Sequence, residues 1–335
     1  MKTRHQALAA AMGILAGIVA LELGLRVFQP DLLERAETAS VVDETAAHHP
    51  KVGLFELDEE LIYVPSATNP EYGSHGARSN DFPLQKGPGV TRVVLLGDSV
   101  VARQKISEAM RARLDPTAER LEFWALGVEG YDTAQEIAYF RRFGAALDPD
   151  LVVLVYSFND FRTTPLLYLN SSGELIRLSG RDPERIHQRL FRWSYLYRAW
   201  ILRQLEEPGK ALPDGSEHVP PRLAKLASEV EDAGARFCAL VQPYLIQAGT
   251  LDAKLVDEMY RRHDNHLTWF EDCGIPSYDL AVPVRSAQAE GVTLFSQPGD
   301  LHHPSDELAR RYVDWLVQET DWLTWLDSNR ASSDG

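Results

Sequence analysis

The run Thr91-Arg92-Val93-Val94-Leu95-Leu96-Gly97-Asp98-Ser99 decides how this chain is read. Val93 to Leu96 is a short unbroken apolar stretch containing β-branched residues, the pattern of a strand buried on both faces. After Ser99, the sequence Val100-Val101-Ala102-Arg103-Gln104 and on to Met110-Arg111-Ala112 predicts helix. A serine at the C-terminal end of a buried parallel strand, with its amide near a helix N-terminus, is placed to attack and to steady an anion. The same tripeptide also reads as a turn with Ser99 as helix N-cap, so the rest of the chain has to decide between the two.

Downstream, strand and helix alternate. Strands are predicted at Leu121–Leu126, Leu151–Tyr156, Phe237–Val241 and near Ser277-Tyr278-Asp279. Helices are predicted at about Thr133–Ala146, Pro221–Ala233, Leu251–Asp272 and from beyond Pro304 to about Leu326. An insertion from Phe161 to about Pro221, with a helical piece at Trp193–Leu205, interrupts the alternation and is long enough to act as a lid or to cover the sheet edge. Strands separated by helices of this length make right-handed βαβ units. The expected fold is an α/β three-layer sandwich with a mostly parallel five-stranded sheet.

Upstream lies a different kind of segment. Lys2, Arg4 and His5 precede the apolar run Ala7–Leu21, which resumes at Leu23–Phe28 around Glu22. About 20 such residues cross a bilayer as a helix, and the basic flank sets the N-terminus in the cytoplasm. Residues 1–30 therefore read as a single-pass anchor that leaves the body of the chain outside the cytoplasm, with Glu22 and Arg26 paired four residues apart. A cleaved signal peptide is the rival reading. Residues 31–90 read as a tether and an irregular lead-in punctuated by Pro65, Pro70, Pro83 and Pro88, and residues 327–335 as a disordered tail.

Composition narrows the function. A net charge of −15 over 335 residues argues against nucleic acid as a partner. Two cysteines, Cys238 and Cys273, provide no disulfide framework and no thiolate metal site; they read as small buried residues, with a bridge between them in an oxidising compartment as the alternative. His263 and His266 are spaced like metal ligands, but their polar neighbours make a solvated helix face the expectation. No Gly-x-Gly-x-x-Gly follows the first strand, which weighs against nucleotide binding.

Ser99, Gly127 and Asn159 each fall at or just past the end of a successive strand, and Asp300-Leu301-His302-His303-Pro304 stands at the entry to the last helix. Acyl transfer from serine needs these residue types: a histidine base held by a carboxylate, and amide donors for the oxyanion. Gly97-Asp98-Ser99, Gly127, Asn159-Asp160 and Asp300-x-x-His303-Pro304 resemble the four blocks of the SGNH (GDSL-type) hydrolases over roughly residues 91–320. The layout also resembles membrane-tethered bacterial members, in which a segment like Tyr72-Gly73-Ser74-His75-Gly76-Ala77-Arg78 precedes the serine strand.

The resemblance implies a flavodoxin-like sheet, Ser99 as nucleophile, His303 as base and Asp300 as its orienter, with an oxyanion hole from Ser99, Gly127 and Asn159. It implies no cofactor and no metal. Some branches use Asp-x-His, which would select His302. After Ser99 the residues Val100-Val101-Ala102-Arg103 replace a small, polar stretch common in the family, which puts the pocket in question. The activity implied is a membrane-anchored esterase acting on an O-acyl ester of a carbohydrate or lipid. An O-acyltransferase serving a polysaccharide hydroxyl, or a catalytically silent binding protein on the same fold, are the alternatives.

Overall fold

The computed structural model describes residues 2–28, 55–58, 60–78, 82–117, 119–161, 166–169, 175–178, 187–205, 215–247, 251–298, 300–322 and 326. Residues 31–54 of the expected tether, much of the insertion and the expected C-terminal tail lie outside these residues. The chain divides into two compact units, one of Met1–Tyr63 with Thr163–Pro213 and one of Val64–Arg162 with Asp214–Gly335.

The larger unit is built on five strands: β1 (Thr91–Gly97), β2 (Leu121–Gly127), β3 (Leu151–Ser157), β4 (Arg236–Gln242) and β5 (Ser277–Asp279). Their order is β2-β1-β3-β4-β5 and every pairing is parallel. All residues of β1, β2 and β3 are buried, as unbroken apolar strands covered by helices on both faces must be. Gly97 pairs with Gly127, so β1 and β2 end level, and with Val155, so β3 runs two residues further, to Ser157. That common edge carries the candidate site.

The helices follow the strands, with instructive departures. The single helix expected after Ser99 is two, α2 (Ser99–Ala102) and α3 (Lys105–Leu114), because Gln104 adopts the left-handed conformation at φ 61°. The expected Thr133–Ala146 helix is α-helical only over α4 (Thr133–Tyr139), then widens into a π turn at Phe140–Gly144 and tightens into a 3₁₀ turn at Ala145–Leu147. In the smaller unit, α1 (Lys2–Phe28) accompanies a hairpin of Leu166–Leu169 with Leu175–Leu178, and α5 (Gln188–Trp193) and α6 (Tyr195–Leu205). The larger unit continues with α7 (Val219–Asp232), whose Pro220 and Pro221 pre-set the backbone of its first turn, then α8 (Ala253–Asp272), α9 (Ala281–Ala289) and α10 (Asp306–Glu319).

One core cluster runs from β1, β2 and β3 to α3, α9 and α10 and ends on the fully buried Trp322. At the opposite end of the sheet from the site, buried Arg92 donates to Glu122 at 2.7 Å and to the carbonyls of Pro83, Leu84 and Leu147. It thereby pins the lead-in segment to the strand starts. Both cysteines are free, Cys238 buried and Cys273 partly so.

The expectation of a solvated face for His263 and His266 is overturned. Both are buried, at 1% and 2% exposure. They belong to the inward stripe of α8 with Trp269 and Phe270. His263 Nε2 lies 2.7 Å from Asp279, and the His266 ring stands edge-on to Tyr156. The polar neighbours Arg261, Asp264 and Asn265 occupy other faces of the same helix; linear adjacency does not report helix facing.

Candidate active site

Asp98 organises the turn from β1 into α2. Its carboxylate accepts from the Val100 amide at 2.8 Å, capping α2 as an N-cap side chain does. The same carboxylate accepts from Asn159 Nδ2 at 3.0 Å, which ties the end of β3 to the end of β1. Nδ2 carries two hydrogens, so one remains for another acceptor. Asn159 itself rides on a tight turn in which Asp160 accepts from the Ser157 amide at 2.5 Å and returns its own amide to Ser157 at 3.1 Å.

Gly127 ends β2 against the first turn of α2. A Cβ there would stand 2.7 Å from the Asp98 carbonyl oxygen and 2.7 Å from the Val101 carbonyl carbon, and nearer still to the Ala102 amide. Only glycine lets the strand end approach the backbone that carries Ser99. The Tyr72 hydroxyl donates to the Gly127 carbonyl at 2.9 Å, and the Arg78 amide donates to Ala125 at 2.9 Å, so the Tyr72–Arg78 segment lies along the end of β2.

From 204 residues further along the chain comes the histidine. His303 Nε2 lies 2.9 Å from Ser99 Oγ, and His303 Nδ1 lies 2.9 and 2.8 Å from the two oxygens of Asp300. Ser99 and His303 are both buried, at 8% and 5% exposure. Asp300 also accepts the His302 amide at 2.9 Å and the His303 amide at 3.1 Å. Burial alone would raise its pKa. The hydrogen bond from the His303 ring and the two amides outweigh burial and hold the carboxyl well below the usual carboxylate range. An ionised carboxylate only accepts, so the histidine proton sits on Nδ1 and the lone pair of Nε2 faces the serine.

The loop that carries these residues is fastened on several sides. Gln242 donates to the His302 carbonyl at 2.6 Å, the Leu245 amide to Leu301 at 2.9 Å, and the Ser296 amide to His303 at 3.0 Å. Ser305 then caps α10 by accepting from the Leu308 amide at 3.1 Å. His302 is turned away from the serine and packs on Phe158, ring centroids 4.5 Å apart, with Tyr244 stacked on the same Phe158 at 3.4 Å. The Asp-x-x-His spacing is therefore the one that the geometry joins, and Asp-x-His is not.

The sequence gives no role to three features of the site. Arg103 reaches within 3.4 Å of Asp300 Oδ2 and of Ser296 Oγ, bringing a cation to the carboxylate that holds His303. Tyr72 stands beside Gly127. Behind the serine, Asp98, Asp132, Glu136 and Asp160 form a buried acidic group. Burial, then the charges of Asp98 and Asp132, raise the Glu136 carboxyl well above its ordinary value. Burial and the charges of Glu136 and Asp98 do the same to Asp160. The sequence shows each of these acids as an ordinary polar residue near a turn; only the meeting of α4 with the ends of β1 and β3 gathers them.

No family model and no curated protein matches the chain. Similar solved structures include the acetyl xylan esterase AlAXEase, at 10% identity, TM-score 0.42, covering 68% of this chain and 99% of that one. A member of the lipolytic protein G-D-S-L family from Veillonella parvula is similar at 13% identity and TM-score 0.41, covering 68% and 97%. A catalytic mutant of Axe2, an acetylxylan esterase from Geobacillus stearothermophilus, is similar at 12% identity and TM-score 0.42, covering 70% and 96%.

Proposed function

We propose that this chain is a serine esterase of the SGNH (GDSL-type) kind, tethered to a membrane by α1. The observation that carries the reading is the unbroken chain of hydrogen bonds from Ser99 through His303 to Asp300. A serine hydroxyl is a weak nucleophile until a base takes its proton, and an oriented imidazole is such a base.

In the first half-reaction Ser99 Oγ attacks the ester carbonyl carbon while its proton passes to His303 Nε2. The imidazolium so formed is stabilised by Asp300. The new oxyanion takes hydrogen bonds from the Ser99 amide and from the free hydrogen of Asn159 Nδ2. The tetrahedral centre collapses, the bond to the alcohol oxygen breaks, and His303 returns the proton to that oxygen. Water then attacks the acyl-Ser99 ester, gives a proton to His303, and the second collapse frees the carboxylic acid and restores Ser99 with its proton.

The charge of −15 disfavours anionic polymers as substrates, and we assign a neutral O-acyl ester, such as an O-acetyl group on a carbohydrate or a lipid. The anchor reading is supported by the 20-residue stretch Ala9–Phe28, apolar but for Glu22 and Arg26, which the fold leaves unburied. The basic start of the chain then sets the catalytic unit outside the cytoplasm.

The test is a fluorophosphonate probe on the full chain in detergent, read by intact mass. A single adduct lost in Ser99→Ala, with ester turnover lost in the same variant, is the expected result. His303→Ala should lose both, and His302→Ala should keep the adduct. No adduct on the wild type would mark a binding protein on this fold.

A further inference from the structure

The smaller unit holds a carboxylate in an apolar helix. Glu22 lies in α1, six residues before its end at Phe28, and most of the surrounding α1 side chains are exposed and apolar, among them Ile18, Val19, Leu21, Leu23 and Val27. An ionised residue there is costly in lipid and needs a partner. Its first partner is Arg26, at 3.0 Å one turn on. Its others come from far along the sequence. Glu22 accepts from the Tyr195 amide at 2.8 Å, the Leu196 amide at 3.0 Å and the Ser194 hydroxyl at 2.9 Å. These are the donors left open at the start of α6, and a carboxylate is the favoured group to satisfy them. Arg26 completes the joint by donating to the Trp193 carbonyl at 2.5 Å and lying over the Tyr195 ring.

This joint fixes the height of α5–α6 on α1. At 1.5 Å per residue, six residues put Glu22 about 9 Å inside the end of the span. Amphipathic helices that rest on membranes bury their apolar face to about 5–10 Å from the same boundary. Part of α5–α6 is packed inward, through Phe191, Ile201 and Leu202. The remainder presents Trp193 at 71% exposure, Trp200 at 53% and Leu190 at 47%. Tryptophan is the side chain enriched where the headgroups meet the acyl chains.

We propose that Gln188–Leu205 is a second membrane contact, an interfacial element that lies in the outer leaflet against α1 and is held there by Glu22, with Trp193 and Trp200 seated among phospholipid headgroups and upper acyl carbons. The proposal rests on the reading of α1 as an anchor. It gives the insertion a task that an ordinary cover for the sheet edge would not have, and it gives Glu22 a reason to stand in the span.

The experiment reconstitutes the full chain in phosphatidylcholine vesicles containing lipid brominated near the top of the acyl chain. Tryptophan quenching is read against a Trp193→Phe/Trp200→Phe double variant, and carbonate washing reports retention of each protein. Two of seven tryptophans are involved, so brominated lipid should quench about two sevenths of the wild-type emission, and the double variant should lose that quenching while staying with the vesicles. Glu22→Leu should also stay with the vesicles, since its span is more apolar, yet show reduced quenching because α6 has lost its cap. Retained wild type quenched no more than the double variant overturns the proposal and leaves the anchor standing. Loss of the wild type to the carbonate wash overturns the anchor reading, and the interfacial element with it.

Discussion

Gly127→Ala tests the geometry at its tightest point. The added Cβ would meet the Asp98 oxygen and the Val101 carbon at 2.7 Å, where ordinary contact begins at 3.4 Å, a shortfall of about 0.7 Å on each and more at the Ala102 amide. Those atoms are all backbone of the turn that carries Ser99, so no side chain can swing aside. The Ala102 amide donates to the Asp98 carbonyl at 3.0 Å, which makes the turn move as a unit. Overpacking of this kind costs about 1–3 kcal/mol, a fall of roughly 2–12 °C in Tm for a unit of this size. The effect on rate should be larger. Ser99 Oγ has to keep its 2.9 Å contact with His303, and a displacement approaching 1 Å costs on the order of 100-fold in turnover. The assay pairs thermal unfolding of the larger unit's signal with kcat/KM on an aryl acetate. A folded variant with turnover near wild type and an unchanged Tm would refute the claim that Gly127 is required for the strand end to meet α2.

Two further outcomes follow from the site's electrostatics. Asp300→Asn removes the charge that steadies the imidazolium and offers Nδ1 a donor where it needs an acceptor. Turnover should fall by about 10⁴-fold with little change in KM, and a loss under tenfold in steady-state kinetics would show that Asp300 does not orient His303. Glu136→Gln should stabilise the fold, increasingly so as pH rises above about 4. Below the unfolded-state pKa, about 4.3, the carboxyl is protonated in both states and costs nothing extra; above it the unfolded chain gives up the proton while the buried group keeps it, so wild-type stability falls with pH. Urea midpoints that differ between variant and wild type by a constant amount across that range would contradict this placement of Glu136.

How far the sequence carries depends on whether a residue's neighbours are local. The strands were legible because β1, β2 and β3 are buried on both faces, and an unbroken apolar run has few other ways to satisfy itself. Ser99, Gly127 and Asn159 were legible because each follows such a run directly. The break at Gln104 was not, since a left-handed glutamine answers to where α3 must lie and not to any local preference. Helix α9 went unread: its Ala281-Val282-Pro283 opening hides a helix whose proline sits harmlessly in the first turn. The burial of His263 and the gathering of Asp132 and Glu136 behind Asp98 depend on which helix face meets the sheet, and polar neighbours in the linear chain point the wrong way. The Asp-x-x-His spacing favours His303 over His302, and in the structure His303 lies beside Ser99 while Phe158 takes the ring of His302.

The 204 residues between Ser99 and His303 also set a schedule. A ribosome delivers the nucleophile, the oxyanion donors and the whole of β1 to β3 long before the base exists. Closing so long a loop is slow relative to local structure, and His303 reaches Ser99 only when α10 has docked on the completed sheet. Until then the serine is chemically ordinary. The emergence of a reactive serine is thus a clock for the end of folding, and labelling a nascent chain with a serine-directed probe would time the last step of its assembly.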